Sequence, residues 1–363
     1  MTSLNTGKFI MGAMLHRLML VRVKSRFANN VEKELDLSPV TLISGFPGIG
    51  KSLILKVVHG LLSGIGNDLN SILMMEGNVE LTFNTSQWKV GDMNEKLSAV
   101  NLPTIDGMLT IAVTRHGNAV EQVIRTDKGT LLVSRRGAEG SFIKVPLEVE
   151  VKDAGLFLSA EGLSLKGSNA VQLIDEFATL YETIMEMVRF TARQLTNLRV
   201  YYLGPYFDFP PISKISGKSW VGAHGEYTVE VLARLSMEPR MDGKMRFLRK
   251  AIDGLGYRRL RAGLVGDGVG ITYVDKNNNE IMGGEVPCSL KTILAIATQL
   301  MISETGSIVL IDNMDYCLDE NTSAVLASIL RELGAGKQII GEIHTPLLSN
   351  SVDSNYVTIH AVG

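Results

Sequence analysis

The chain has 363 residues, 45% apolar and 20% charged, with 36 glycines against 10 prolines and a formal net charge of −2. This composition excludes a disordered or low-complexity chain. The near-neutral balance excludes a general attraction to nucleic acid or anionic lipid, so any polyanion contact must come from a local patch.

Residues 1–13 read as an extension, with the folded part starting near Met14. The apolar run "FIMGAML" is too short for a membrane span and lacks a cleavage site, so a cytoplasmic protein without membrane contact is expected. Cys288 and Cys317 cannot form a disulfide framework and neither sits in a CxxC pair, which points to a reducing compartment. "RLMLVRVKSRF" alternates apolar and polar side chains and predicts a half-buried strand ending at Phe27, whereas the β-branched run "PVTLISG" predicts a buried one. "KSLILKVVHGLLSGI" places Leu53, Val57, Val58, Leu61 and Leu62 on one helical face. Over residues 77–168 short strands alternate with turn residues, the pattern of a β-rich lobe. "NAVQLIDEFATLYETIMEMVRFTARQLTNL" lacks Gly and Pro and predicts a long helix. A loop-rich stretch and more helical pattern follow to about Leu255, then strands, a helix from about Leu290, the strand "SIVLID", a helix around 324–333 and the strand "KQIIGEIH". The expected layout is a core from 14–76 and 285–363, an inserted β-rich lobe over about 77–168, and a helical arm with a loop-rich segment over about 169–284.

Gly45, Phe46, Pro47, Gly48, Ile49, Gly50, Lys51 and Ser52 satisfy GxxxxGK[ST] between a buried strand and a helix. Glycines let such a loop turn its N–H groups inward onto a phosphate, and the helix N-terminus adds partial positive charge. Lys51 would then bridge the β- and γ-phosphates, and the Ser52 hydroxyl would hold Mg²⁺. Far downstream the apolar run "IVLI" ends in Asp312, the pattern of a strand presenting a second carboxylate to the metal.

"LIDNMDYCLD" resembles the Walker B and D-loop run of ABC-type ATPases, and "KQIIGEIHTPLLSN" resembles their final strand and histidine switch, with His344 in the switch position. With an N-terminal Walker A and a wide insertion, the chain is similar to the SMC/RecF-like branch, in particular to compact "AAA family" ATPases related to overcoming-lysogenization-defect proteins. The resemblance covers most of the chain from Met14. It implies an α/β P-loop NTPase fold, an ABC-type head with an inserted β-rich lobe and a short helical arm. It also implies ATP and Mg²⁺ as cofactors and an ATP-dependent homodimer in which Ser289 and the D-loop residue Asp319 contact nucleotide.

Two positions depart from that pattern. Asn313 stands where the family has the glutamate that polarises water, and an amide cannot take a proton; such help is commonly worth ~10²–10⁴-fold. Ser289 opens the signature helix without the accompanying glycine, and a serine there is equally a helix cap. Three functions follow: an ATPase slow or impaired in hydrolysis that gates dimerisation or a protein partner in a DNA-maintenance or defence assembly; a silent ATP-binding scaffold; or a working ATPase with Glu342 or Asp315 as base. Glu342 lies two positions before His344 on a strand, so both side chains share a face. Arg258, Arg259 and Arg261, with Lys244, Arg246, Arg249 and Lys250, form a cluster that would suit DNA phosphates or a solvated face. The aromatic group Tyr201, Tyr202, Tyr206, Phe207 and Phe209 resembles a stacking platform, but beside "FPP" it reads as packing beneath a rigid loop.

Overall fold

A computed structural model describes residues 20–26, 32–46, 48, 50–63, 77–117, 119–137, 140–144, 150–152, 175–210, 212–282, 286–352 and 357–362. The expected N-terminal extension, Phe27, Pro47, Ile49 and the last part of the expected lobe, 153–168, lie outside these residues. The chain divides into two units, Met1–Ser38 with Lys56–Val200 and Pro39–Leu55 with Tyr201–Gly363.

Among the described residues the first elements are β1 (Leu20–Arg26), β2 (Glu32–Asp36), β3 (Val40–Gly45) and α1 (Lys51–Ser63). It continues through β4 (Gly77–Asn84), α2 (Gly91–Ala99), β5 (Met108–His116), β6 (Ala119–Thr126), β7 (Gly129–Gly137), β8 (Gly140–Lys144), β9 (Glu150–Lys152) and α3 (Asp175–Thr196). All these strands except β3 form one eight-stranded sheet, in the order β2-β1-β4-β5-β6-β7-β8-β9. Strict alternation drives it: Val79, Leu81 and Phe83 oppose Val113, Ile111 and Leu109, and all six are buried on one face. The other face carries paired polar groups, including Arg22–Asp36 at 2.7 Å and Arg125–Glu80 at 2.6 Å. Met93 and Leu97 of α2 and Ile184, Met187 and Val188 of α3 are buried as well.

This sheet corrects the expected layout. The strand predicted over "RLMLVRVKSRF" exists, but it pairs antiparallel with β2 and β4 and belongs to the β-rich unit, not to the nucleotide-binding core. Its alternating pattern suits a sheet with one wet face, while the unbroken "VTLI" of β3 suits a strand covered on both sides.

In the second unit come β10 (Val200–Leu203), β11 (Ile212–Ser213), α4 (Thr228–Ser236), α5 (Asp242–Asp253), β12 (Arg258–Val265), β13 (Gly268–Val274) and β14 (Glu280–Met282). Then follow α6 (Cys288–Ile302), β15 (Ile308–Ile311), α7 (Glu320–Leu333), β16 (Gln338–Glu342), α8 (Pro346–Ser351) and β17 (Val357–Val362). The central sheet has the order β10-β15-β16-β3-β17, and β15, β16, β3 and β17 run parallel. The fold is thus of the expected α/β P-loop class. A smaller sheet joins β11, β13, β12 and β14.

Most of the segment expected as arm and loop lies in this core. Val231 and Leu232 of α4 and Leu248 and Ile252 of α5 are fully buried in one cluster with Leu290, Ile293 and Leu300 of α6 and with Val309, Ile311 and Ile339 of the sheet. The apolar stripes of α4 and α5 need such a partner, and an arm in water would leave them exposed. Among the described residues no helix is long and apolar enough to cross a membrane.

Candidate nucleotide site

Ligands in open α/β sheets bind beyond the carboxyl ends of the strands, and here three parallel strands end together. Gly45 closes β3, Asp312 follows β15, and Glu342 closes β16, with Glu342 opposite Ile43 and Gly341 opposite Leu42 and Ile311. Gly48 and Gly50 adopt φ of 83° and 90°, a left-handed geometry that side chains other than glycine rarely take, so the loop curls before α1. Lys51 folds back over the curl, its Nζ donating to the carbonyls of Gly45 at 2.9 Å and Phe46 at 3.2 Å.

Glu342 is the centre of the cluster. Only 2% exposed, its carboxylate accepts a hydrogen bond from Ser52 Oγ at 2.6 Å and lies 3.5 Å from Lys51 Nζ and 3.2 Å from His344 Nε2. Glu342, the last residue of β16, thus meets His344 of the turn that follows, although the strand expected to run through His344 ends at Glu342. Burial, reinforced by the Asp312 carboxylate, pushes the Glu342 carboxyl up to about 7. Asp312 is 1% exposed, and its Oδ2 accepts from the Tyr202 hydroxyl at 2.5 Å while its Oδ1 has no hydrogen-bond partner. Burial and Asp312 hold the Tyr202 phenol well above its ordinary pKa, so it stays a donor. Tyr202 is a site residue that sequence reasoning missed; the signal was there, a tyrosine near the end of an aromatic strand, where the ring packs and the hydroxyl reaches a partner.

The donor set fits magnesium. Ser52 Oγ and the orphaned Asp312 Oδ1 are hard oxygens, and Mg²⁺ is commonly held by one or two carboxylates plus substrate phosphates and water. Among the described residues there is no group of three or more His, Cys, Asp or Glu that could hold a metal. Gly204 shows how tightly Asp312 is framed: a Cβ there would stand 2.1 Å from the Asp312 carbonyl oxygen.

Other expected site residues have different occupations. Asp315 is buried and accepts from the backbone N–H of His344 at 3.0 Å, from that of Thr345 at 2.6 Å and from Thr345 Oγ1 at 2.7 Å. With its lone pairs spent on the turn after β16, it is not placed to take a proton from water. Asn313 has φ of 54°, a conformation asparagine tolerates, and its Nδ2 donates to the Pro205 carbonyl at 3.0 Å. Asp319 caps α7 in a capping box with Thr322, and those hydrogen bonds hold its carboxyl below the usual range. Ser289 is the second residue of α6, whose cap position is Pro287, so it is no N-cap. Cys288 and Cys317 form a single disulfide with Cα atoms 5.8 Å apart, a pairing the sequence did not indicate. Distance along the chain says nothing about proximity once α7 returns beside α6.

No family model matches the chain, and no curated protein matches it. Solved structures do. An SMC head bound to the C-terminal winged-helix domain of ScpA is 13% identical, over 95% of this chain and 94% of that one, with a TM-score of 0.49. The SMC head domain from Thermotoga maritima is 12% identical over 95% of both chains, with a TM-score of 0.39. An SMC head with an extended coiled coil, bound to the C-terminal domain of ScpA and derived from Pyrococcus furiosus, is 13% identical, over 95% of this chain and 93% of that one, with a TM-score of 0.47. The functional reading rests on the geometry of the site itself.

Proposed function

We propose that the chain binds Mg-ATP between the Gly45–Ser52 loop and Asp312 and hydrolyses it as an ABC-type ATPase, with Glu342 in place of the absent glutamate at position 313. The observation that carries this reading is the Glu342 carboxylate, 2.6 Å from Ser52 Oγ and titrating near neutrality, where a general base works best. Lys51 and the N-terminus of α1 would bind phosphate, and Ser52 and Asp312 would hold the metal, which screens the charge developing on the phosphoryl oxygens. His344, beside Glu342, would take up the proton that Glu342 receives from water. Nucleotide-driven self-association would set Ser289 of the partner subunit against this P-loop. Phe46, 77% exposed within the loop, supplies an apolar anchor for that or for another protein partner.

The direct experiment is single-turnover hydrolysis of Mg-ATP by the whole chain. Asn313→Glu tests the base assignment alongside it. Asn313 is held in a left-handed turn with its amide on the Pro205 carbonyl, so a carboxylate there would face that carbonyl oxygen. The expected result is no gain in turnover and a less stable protein. A rise of about a hundredfold or more would return the base to position 313 and leave Glu342 with a binding role.

A separate observation favours DNA as a partner. A register shift between Arg258 and Arg261, with Arg259 at φ of 55°, breaks strand alternation, so Arg258, Arg259 and Arg261 are all exposed while Leu260 is buried. Arg246 and Lys250 of the neighbouring α5 are exposed too. Replacing the three β12 arginines with Ala should weaken duplex binding and flatten its log-log salt dependence by up to about 0.9 for each phosphate no longer neutralised. Unchanged affinity at low salt would remove this surface from consideration.

A further inference from the structure

The two cysteines of the chain are bonded to each other, and their bond joins the start of α6 to the segment that follows Asp312. Cys288 begins α6, and Cys317 sits in the segment that leads from Asp312 to the cap of α7. That segment supports the catalytic cluster from behind. Met314 N–H donates to the Glu342 carbonyl at 2.8 Å, and the Asp315 carboxylate fixes the backbone of His344 and Thr345. On its other side, Thr292 Oγ1 of α6 donates to the Tyr316 carbonyl at 2.9 Å, and Lys291 of α6 pairs with Asp208 of the loop after β10. The disulfide is therefore the covalent member of a line of interactions running from α6 through Asp315 to His344 and Glu342.

We propose that the Cys288–Cys317 disulfide is a reversible redox latch on the nucleotide site, opened by a dithiol reductant. Cys317 is exposed and Cys288 half-buried, so an incoming thiolate reaches Cys317 Sγ, and exposed disulfides are the labile ones. Attack on Cys317 Sγ breaks the S–S bond and releases Cys288 as a thiolate, which takes a proton. The second thiol of the reductant then displaces Cys317 from the mixed disulfide. Two electrons and two protons pass to the cysteine pair, and the dithiol becomes a disulfide. The chain has no third cysteine to trap an intermediate.

Reduction leaves only noncovalent ties at the segment's far end, the Thr292–Tyr316 hydrogen bond and the packing of Tyr316 and Leu318 against the core that includes α6. The segment loosens, Asp315 holds His344 less firmly, and the pairing of His344 with Glu342 is populated less. Lys51 touches this line at Glu342, but its own hydrogen bonds to the Gly45 and Phe46 carbonyls hold it in the loop, so nucleotide affinity is spared. The inference rests on the proposed hydrolysis only for its effect on rate; the latch itself is read without nucleotide.

The experiment compares the whole chain oxidised and after dithiothreitol treatment. Alkylation and intact mass count free thiols, amide hydrogen exchange reports on residues 313–319, 344 and 345, and ATP turnover and nucleotide affinity are measured in both states. Expected are zero free thiols becoming two, exchange at these amides at least about tenfold faster on reduction, turnover at least about tenfold slower, and affinity unchanged within about twofold. Cys288→Ser and Cys317→Ser should behave as the reduced form under both conditions. Two free thiols in the oxidised preparation, or the same exchange in both states, would overturn the proposal. So would protection lost throughout the second unit, which would make the bond a plain structural staple. Faster exchange at 344 and 345 with no ATP cleaved in either state would uphold the latch and reject the hydrolysis reading.

Discussion

Glu342→Gln is expected to lower single-turnover ATP cleavage by ~10²–10⁴-fold while nucleotide binding stays as tight or tightens. The amide keeps the shape of the side chain and can still accept from Ser52 Oγ, so the loop geometry survives. It cannot take a proton from water. It also removes one of two buried carboxyls, and the remaining Asp312 then meets the metal without a competing negative charge beside it. In the wild type, turnover should rise as Glu342 ionises, and Gln should abolish that dependence. Stability gives an independent reading on the nucleotide-free protein. A carboxyl raised in the folded state from 4.5 to about 7 contributes stability that is complete below pH 4.5 and is lost as pH rises through 7. The Gln variant should therefore gain on the wild type between pH 4.5 and 8 in denaturant titrations. Phosphate release at the wild-type rate would end the case for Glu342 as the base.

Lys51→Ala should weaken Mg-ATP binding by at least about a hundredfold, since one buried ammonium bonds directly to the transferred phosphate in this class of loop. Its second effect is on the empty site. Lys51 is 3% exposed and stands 3.5 Å from Glu342, so its removal leaves two buried carboxyls without a cation. Breaking a buried pair typically costs about 3–5 kcal/mol. Here the loss should be smaller, about 1–2 kcal/mol near neutral pH, because Glu342 already titrates near 7 and can escape by taking a proton. Isothermal titration with a non-hydrolysable ATP analogue and urea unfolding measure the two effects separately. An affinity close to that of the wild type would exclude the loop as the phosphate site.

Local signals were legible in the sequence and non-local ones were not. The P-loop declares itself because strand, glycine turn, lysine and helix are contiguous, and Asp312 could be placed because it ends an apolar run. Glu342 and His344 were expected together on one strand; they do meet, but the strand ends at Glu342 and the turn after it brings His344 back. By contrast, the opposite occupations of Asp315 and Asn313 depend on which backbone passes nearby, as do Tyr202 on Asp312 and the joining of Cys288 to Cys317. The strand β17 escaped notice although it pairs with β3, and β1 was assigned to the wrong sheet because its alternation fixes a face and not a partner. The exposed arginines of β12 were visible, but the bulge that turns them all outward was not.

The position of β3 in its sheet also orders events during synthesis. Its neighbours on either side are β16 and β17, so Val40 must wait for Ile339 and Val357. The antiparallel strands from β5 to β9, each paired to the strand made just before it, can form as they emerge. A nascent chain would therefore carry the Gly45–Ser52 loop unanchored until β16 and β17 leave the ribosome. Ordering of that loop then reports that translation has reached those strands.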